Sequence, residues 1–61
     1  MRLKELRLNK GVSRAQVASA IGYSVKAYIH YENGTREPSF STLRSLSKYF
    51  DVSIDHIVRN D

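Results

Sequence analysis

The chain contains no cysteine. That absence removes disulfides and thiolate metal sites from the devices that hold small domains together, and it suits a reducing cytoplasm. Long apolar runs are missing too, and nothing approaches the roughly 20 residues a membrane span requires. Glycine and proline are scarce, at three and one, and no linker, repeat or low-complexity segment breaks the chain. Acidic charge is in the minority: ten Lys and Arg stand against six Asp and Glu, a formal charge of +4. The opening MRLKELRLNK is charged and amphipathic, so it is expected to form a helix rather than a secretory signal.

At 61 residues the chain is expected to form one domain, 1–61, without room for a second. A domain of that size buries only about 60% of the surface its unfolded chain exposes. Regular helix packing, self-association or a ligand must then supply its stability. The positive balance favours a polyanionic partner, nucleic acid before an anionic membrane, although mild basicity also serves solubility alone.

The few glycines and the single proline fall where helices should stop. Leu3 and Leu6, continued by Val12, mark a helical stripe from Arg2 to Lys10 that Gly11 ends. Ser13 stands three residues before Gln16, the capping-box spacing, and opens a helix with Val17, Ala18 and Ile21 on one face. Gly22 closes it. Ser24 and Gly34 bracket a third helix as N-cap and C-terminal glycine. Asn33-Gly34 is also a hairpin signal, but neither flank alternates apolar and polar residues, which favours the helix. Pro38 forbids helix through the loop before it. Ser39 then caps a fourth helix with Phe40, Leu43, Leu46 and Phe50 at helical spacing, and Asp51 breaks it. Ser53 caps a short fifth with Ile54, Ile57 and Val58. The expectation is an all-α chain of five short helices.

The third helix, GYSVKAYIHYENG with its flanks, looks apolar all round. At about 100° per residue, however, Ser24, Ala27 and Tyr31 share a face with Tyr28, and these tyrosines read as core. Val25, Lys26, Ile29, His30 and Asn33 then form an outward face. Two helices joined by a tight turn at Gly22-Tyr23, in a basic chain, suggest a helix-turn-helix whose second helix enters a DNA major groove. Gly22 allows a positive φ there, small Ala18 allows close approach, and Tyr23 is expected to be exposed.

The stretch SRAQVASAIGYSVKAYIHYENGTREP, followed by TLRSLSKYFDVSIDHI, resembles the Cro/cI-type (Xre-like) helix-turn-helix domain of bacterial and phage transcription regulators. Its markers are Leu6-Arg7 before Gly11, Ser13, Val17-Ala18, Ile21-Gly22, Ser24, Tyr31 through Gly34, Glu37-Pro38, Leu43, Leu46 and Val52-Ser53. The likeness runs from Leu3 to Val58. It implies a compact five-helix, lambda-repressor-like DNA-binding domain with helices 2 and 3 as the helix-turn-helix. It also implies a homodimer on a palindromic operator of double-stranded DNA, repression, and a cytoplasmic, nucleoid-associated location without a cofactor. A separate protein regulator is a further candidate partner.

Carried across by position, the resemblance implies base contacts from Val25, Lys26, Ile29 and His30. It implies DNA-backbone contacts from Arg14, Ser24, Thr35 and Arg36. Arg7 and Glu32 are implied as a structural ion pair between helix 1 and the end of helix 3, with Gly22 and Gly34 structural as well. Many relatives carry hydrogen-bonding residues where this chain has Val25 and Ile29, so base preference does not transfer. Apolar side chains in the groove read thymine methyl groups; on an ordinary surface they read nothing, and on a protein-binding patch they bind a partner. Lys26 suits guanine O6/N7 or a phosphate, and His30 donates more strongly when protonated. Asp51 stands where a glycine is frequent, and Asp tolerates the left-handed region.

Ile54, Ile57 and Val58, with neighbouring helix 4 residues, are the first candidates for a dimer contact, the other reading being closure of the monomer core. No enzyme is expected: His30 and His56 lack metal-ligand spacing, and there is no Gly-rich phosphate loop or nucleophile elbow. The rival function is a protein-interaction module, an antitoxin or anti-repressor target that uses the outward apolar face.

Overall fold

Four serines begin four of the helices by one repeated contact. In each, the side-chain oxygen of an extended residue accepts the backbone N–H three residues on: Ser13 from Gln16, Ser24 from Ala27, Ser39 from Thr42 and Ser53 from His56. Such a cap satisfies one of the donors that a helix start leaves without a partner. At Ser13 the box is complete, because the Ser13 N–H donates to Gln16 Oε1 at 2.8 Å. The computed structural model describes residues 1–59. Among them are five helices and no strand: α1 Leu3–Lys10, α2 Arg14–Ile21, α3 Val25–Asn33, α4 Phe40–Phe50 and α5 Ile54–Val58. None is long and apolar enough to cross a membrane.

Each of these elements is too short to be stable alone, since isolated helices under about 12 residues are marginal in water. Packing must hold them. α2 lies against α3 and α4, α1 against α3 and α4, and α5 against α4. Leu3, Val17, Ala18, Tyr28, Leu46 and Ile57 meet at the centre with essentially no exposure. Leu6, Val12, Ile21, Leu43, Tyr49, Phe50 and Val52 pack around them, half-buried. The Arg2 N–H donates to the Ile57 carbonyl at 2.9 Å, tying the start of α1 to α5.

Two expectations change here. Phe40 does not join the core and is 66% exposed. It lies about 120° around the helix from fully buried Leu46, and the Arg44 guanidinium sits 5.7 Å from its ring centroid. Thr42 takes an inward place instead, 2% exposed. Ile57, a candidate dimer contact, is fully buried within the monomer. Its side chain closes the core beneath α1 and α4 and cannot also meet a partner. Tyr49 and Phe50 divide the edge of the core evenly: both are half-buried, packed edge to face with ring centroids 5.0 Å apart. The Lys10 ammonium lies 5.1 Å over the Tyr49 ring.

The α2–α3 turn carries the left-handed residue that the glycine suggested. Gly22 has φ 77°, its N–H donates to the Ser19 carbonyl at 3.2 Å, and the Tyr23 N–H donates to Ala18 at 2.9 Å. This pair of bonds closes the last turn of α2 and aims the chain into Ser24. Tyr23 then fastens the turn to its surroundings. Its hydroxyl shares a 2.7 Å hydrogen bond with Thr42 Oγ1, and its ring meets Tyr31 edge-on at 5.7 Å. Asp51 also adopts a positive φ, 56°, at the end of α4.

A Cβ at position 22 meets nothing within 4 Å, so the cost of Gly22→Ala is backbone strain alone. Thermal unfolding should show a loss of about 1–2 kcal/mol, or roughly 5–10 °C in Tm. Asp51→Gly should raise Tm by a smaller amount. An unchanged Tm for Gly22→Ala would mean that the turn does not need its left-handed residue.

Candidate nucleic-acid interface

The position of α3 is set by one carboxylate. Arg7 Nε donates to Glu32 Oε2 at 2.9 Å and a second Arg7 nitrogen to Oε1 at 3.2 Å. This fork-on-fork geometry suits a guanidinium and a carboxylate. A third Arg7 nitrogen donates to the Val12 carbonyl at 3.2 Å. Arg14 Nε also reaches Glu32 Oε1, at 3.2 Å. The Glu32 side chain is 2% exposed and that of Arg7 9%, whereas that of Arg14 is 45% exposed. Glu32 therefore joins α1, α2 and α3 at one point.

Burial alone would push the Glu32 carboxyl up. The hydrogen bond from Arg7, reinforced by the charges of Arg7 and Arg14, brings it below the usual carboxylate range instead. The same hydrogen bond to Glu32 raises Arg7. The Tyr28 hydroxyl is buried beside this cluster without a hydrogen bond of ordinary geometry. Burial first, and the neighbouring Glu32 second, hold it un-ionised far above its ordinary range.

With its inner face committed in this way, α3 turns Val25 and Lys26 outward. Val25 is 40% exposed, and Lys26 is exposed. Ser24, Lys26, Ala27, His30 and Arg36 line one shallow hollow of about 170 Å³. Four of the expected DNA-contacting residues, Ser24, Lys26, His30 and Arg36, thus meet at one place, drawn from the start of α3, its second turn and the following loop. Ser24 Oγ is already engaged as the cap. Ile29 is half-buried, about 100° around the helix from buried Tyr28. It flanks the exposed surface without lying in the hollow.

Other expected residues stand apart from it. Arg14 is on α2 and shares Glu32 with Arg7, its Nε being engaged there while the side chain stays 45% exposed. Thr35 turns its hydroxyl to His30, 2.9 Å from Nδ1. Gly34 ends α3 at φ 80° and makes that approach possible. On α5, Ile54 is half-buried and Val58 exposed, which leaves these two, without Ile57, as its apolar surface; Val58 lines a second hollow with Arg36 and Tyr31. The Arg14–Glu32 and His30–Thr35 contacts were both missed in the sequence. The second had a local signal: after a left-handed helix end, the residue beyond the glycine folds back over the one five places earlier.

Two helices at a glycine turn, a serine-capped second helix and an exposed basic edge define a helix-turn-helix architecture. The helix-turn-helix family model matches residues 3–57, and the chain belongs to this family, in its Cro/cI-like (Xre-like) form. Among curated relatives, an uncharacterized HTH-type transcriptional regulator of Bacillus subtilis (strain 168), YqaE, is 36% identical over 97% of this chain and 51% of its own length. The cryptic phage CTXphi transcriptional repressor RstR of Vibrio cholerae is 32% identical over 93% of this chain and 51% of its own. The SPbeta prophage-derived regulator YonR of B. subtilis is 38% identical over 95% and 54%. The chain therefore spans about half the length of these relatives. No solved structure gives a significant match.

Replacing Glu32 by Gln should lower Tm by about 10 °C or more, because two guanidinium groups lose their charge partner. The sign with pH follows from the depressed carboxyl. Its stabilisation is complete above the ordinary glutamate value of 4.5 and is lost as pH falls through the lower folded value. Wild-type Tm should therefore drop on acidification below about pH 4.5, and Glu32→Gln should show a shallower drop. Equal acid slopes in the two proteins would contradict the assignment.

Proposed function

We propose that this chain is a sequence-specific, double-stranded DNA-binding transcription regulator that inserts α3 into the major groove. The observation that carries the reading is the convergence of Lys26, His30 and Arg36 around the capped start of α3, beside exposed Val25. A helix N-terminus with flanking cations suits a phosphate, and the neighbouring side chains then meet base edges. Lys26 reads guanine O6/N7, Val25 with Ile29 at its margin reads thymine methyl groups, and Arg36 and Arg14 hold phosphates. Nothing in this reading calls on catalysis.

Two copies on a palindromic operator would place their α3 helices in successive major grooves about 34 Å apart. Pairing would run through exposed Val58 and half-buried Ile54. Repression follows from occupancy of the operator, the simplest consequence of such binding, and it agrees with the repressor named among the relatives. Control would fall to protein concentration, competition for the operator or a separate protein regulator. The setting is a bacterial cytoplasm, at the nucleoid.

Selection of purified protein against randomised duplex DNA should enrich one palindrome, and binding should weaken steeply with salt. Lys26→Ala should change the preferred base at one position of each half-site. Arg36→Ala should weaken all sequences about equally and lower the salt slope by about one. Uniform weakening by both variants would overturn this division of roles. Failure to retain any duplex even at low salt would favour the protein-interaction module.

A further inference from the structure

The end of α3 determines not only that His30 faces the hollow but which of its ring nitrogens does so. We infer that Thr35 holds the His30 proton on Nδ1, so that Nε2 faces DNA as an acceptor when the ring is neutral and as a donor when it is protonated. The neutral ring therefore selects an exocyclic amino group, adenine N6 or cytosine N4, and the protonated ring guanine O6/N7. The base selection rests on the DNA-binding reading; the proton placement does not.

Left-handed Gly34 folds Thr35 back over the last turn, where the Thr35 N–H donates to the His30 carbonyl at 3.0 Å and the Arg36 N–H at 3.3 Å. Thr35 Oγ1 lies 2.9 Å from His30 Nδ1 and 3.3 Å from the same carbonyl oxygen. A carbonyl only accepts, and a hydroxyl has one proton to give. Both contacts are satisfied only when the hydroxyl donates to the carbonyl and Nδ1–H donates to the hydroxyl. The opposite tautomer would set two oxygens 3.3 Å apart with no proton between them. Both donors of Thr35, its N–H and O–H, are then engaged within the protein, which replaces the phosphate contact expected of it with a positioning role.

Protonation adds its hydrogen at Nε2 and leaves both Thr35 contacts intact, so the ring keeps its orientation and only the outward atom changes character. Among the described residues Nε2 has no hydrogen-bond partner. The charged groups lining the same hollow are Lys26 from α3 and Arg36 from the loop. Glu32, two residues further along α3, is held by Arg7 and Arg14. Lys26 and Arg36 can only donate, and Ser24 Oγ already accepts the Ala27 N–H. Neutral His30 supplies the acceptor that a base amino group requires, as paired side chains do for adenine and cytosine.

The proton is located first in the free protein, by long-range proton–nitrogen correlation NMR at about pH 8. Wild type and Thr35→Ser should show a bare Nε2, and Thr35→Val should shift the ring toward the Nε2–H form. Predominant Nε2–H in wild type would overturn the inference while leaving the DNA reading untouched. Randomised duplex selection at about pH 8 and pH 5.8 then tests the consequence. In wild type one base pair per half-site should move from adenine or cytosine to guanine by about fivefold or more, and the base enriched at the higher pH tells the two amino groups apart. Thr35→Val should lose this shift while keeping the rest of the motif. The same motif at both pH values in wild type would overturn the base selection. Retention of no duplex at either pH would overturn the DNA reading and the base selection together.

Discussion

Glu32 is the point on which the rest of the structure depends. A carboxylate with 2% of its side chain exposed would be costly if left alone, because burial disfavours charge. Two guanidinium groups from two other helices compensate it, and in doing so they fix the orientation of α3 relative to α1 and α2. The bidentate contact from Arg7 supplies most of the geometric constraint, since two parallel bonds define a plane as well as a distance. Arg14, nearly half exposed, links that buried pair to the edge of the outer surface. A chain without cysteine obtains here some of the cross-linking that a disulfide would give.

The inner and outer faces of α3 follow from this anchor. Tyr28 and Tyr31 fill the core side, and Tyr23 closes the turn over Tyr31 while bonding Thr42 on α4. The opposite side is then free of packing duties, and it is where Lys26, His30 and Arg36 gather. Val25, the first residue of the helix, stays 40% exposed although buried Tyr28 follows it by less than one turn. Its exposure contributes nothing to the core, which is why a role in base contact fits it.

Local chemistry was the most legible part of the sequence. Ser13-Gln16, Ser24, Ser39 and Ser53 announced their helices because a cap is a bond between residues three apart, and Gly22, Gly34 and Asp51 marked their ends for similarly local reasons. The Arg7–Glu32 pair came from family resemblance, not from spacing, because partners 25 residues apart leave no periodic trace. The misses share a cause. Whether Phe40 turns outward, whether Ile57 is inside or at the surface, and whether Arg14 reaches Glu32 all depend on which helix lies opposite. His30–Thr35 lies between these cases: the fold-back at Gly34 was readable, but the hydroxyl's distance from the ring was not.

The central claim is that the outer face of α3, held by Glu32, is the surface that meets DNA. The direct measurement is an NMR titration of isotope-labelled protein with a duplex carrying its preferred sequence. Amide and side-chain shifts should concentrate at Ser24, Val25, Lys26, His30 and Arg36, with small changes at exposed Leu8 on α1. Shifts centred on Leu8, with the α3 signals undisturbed, would contradict the claim.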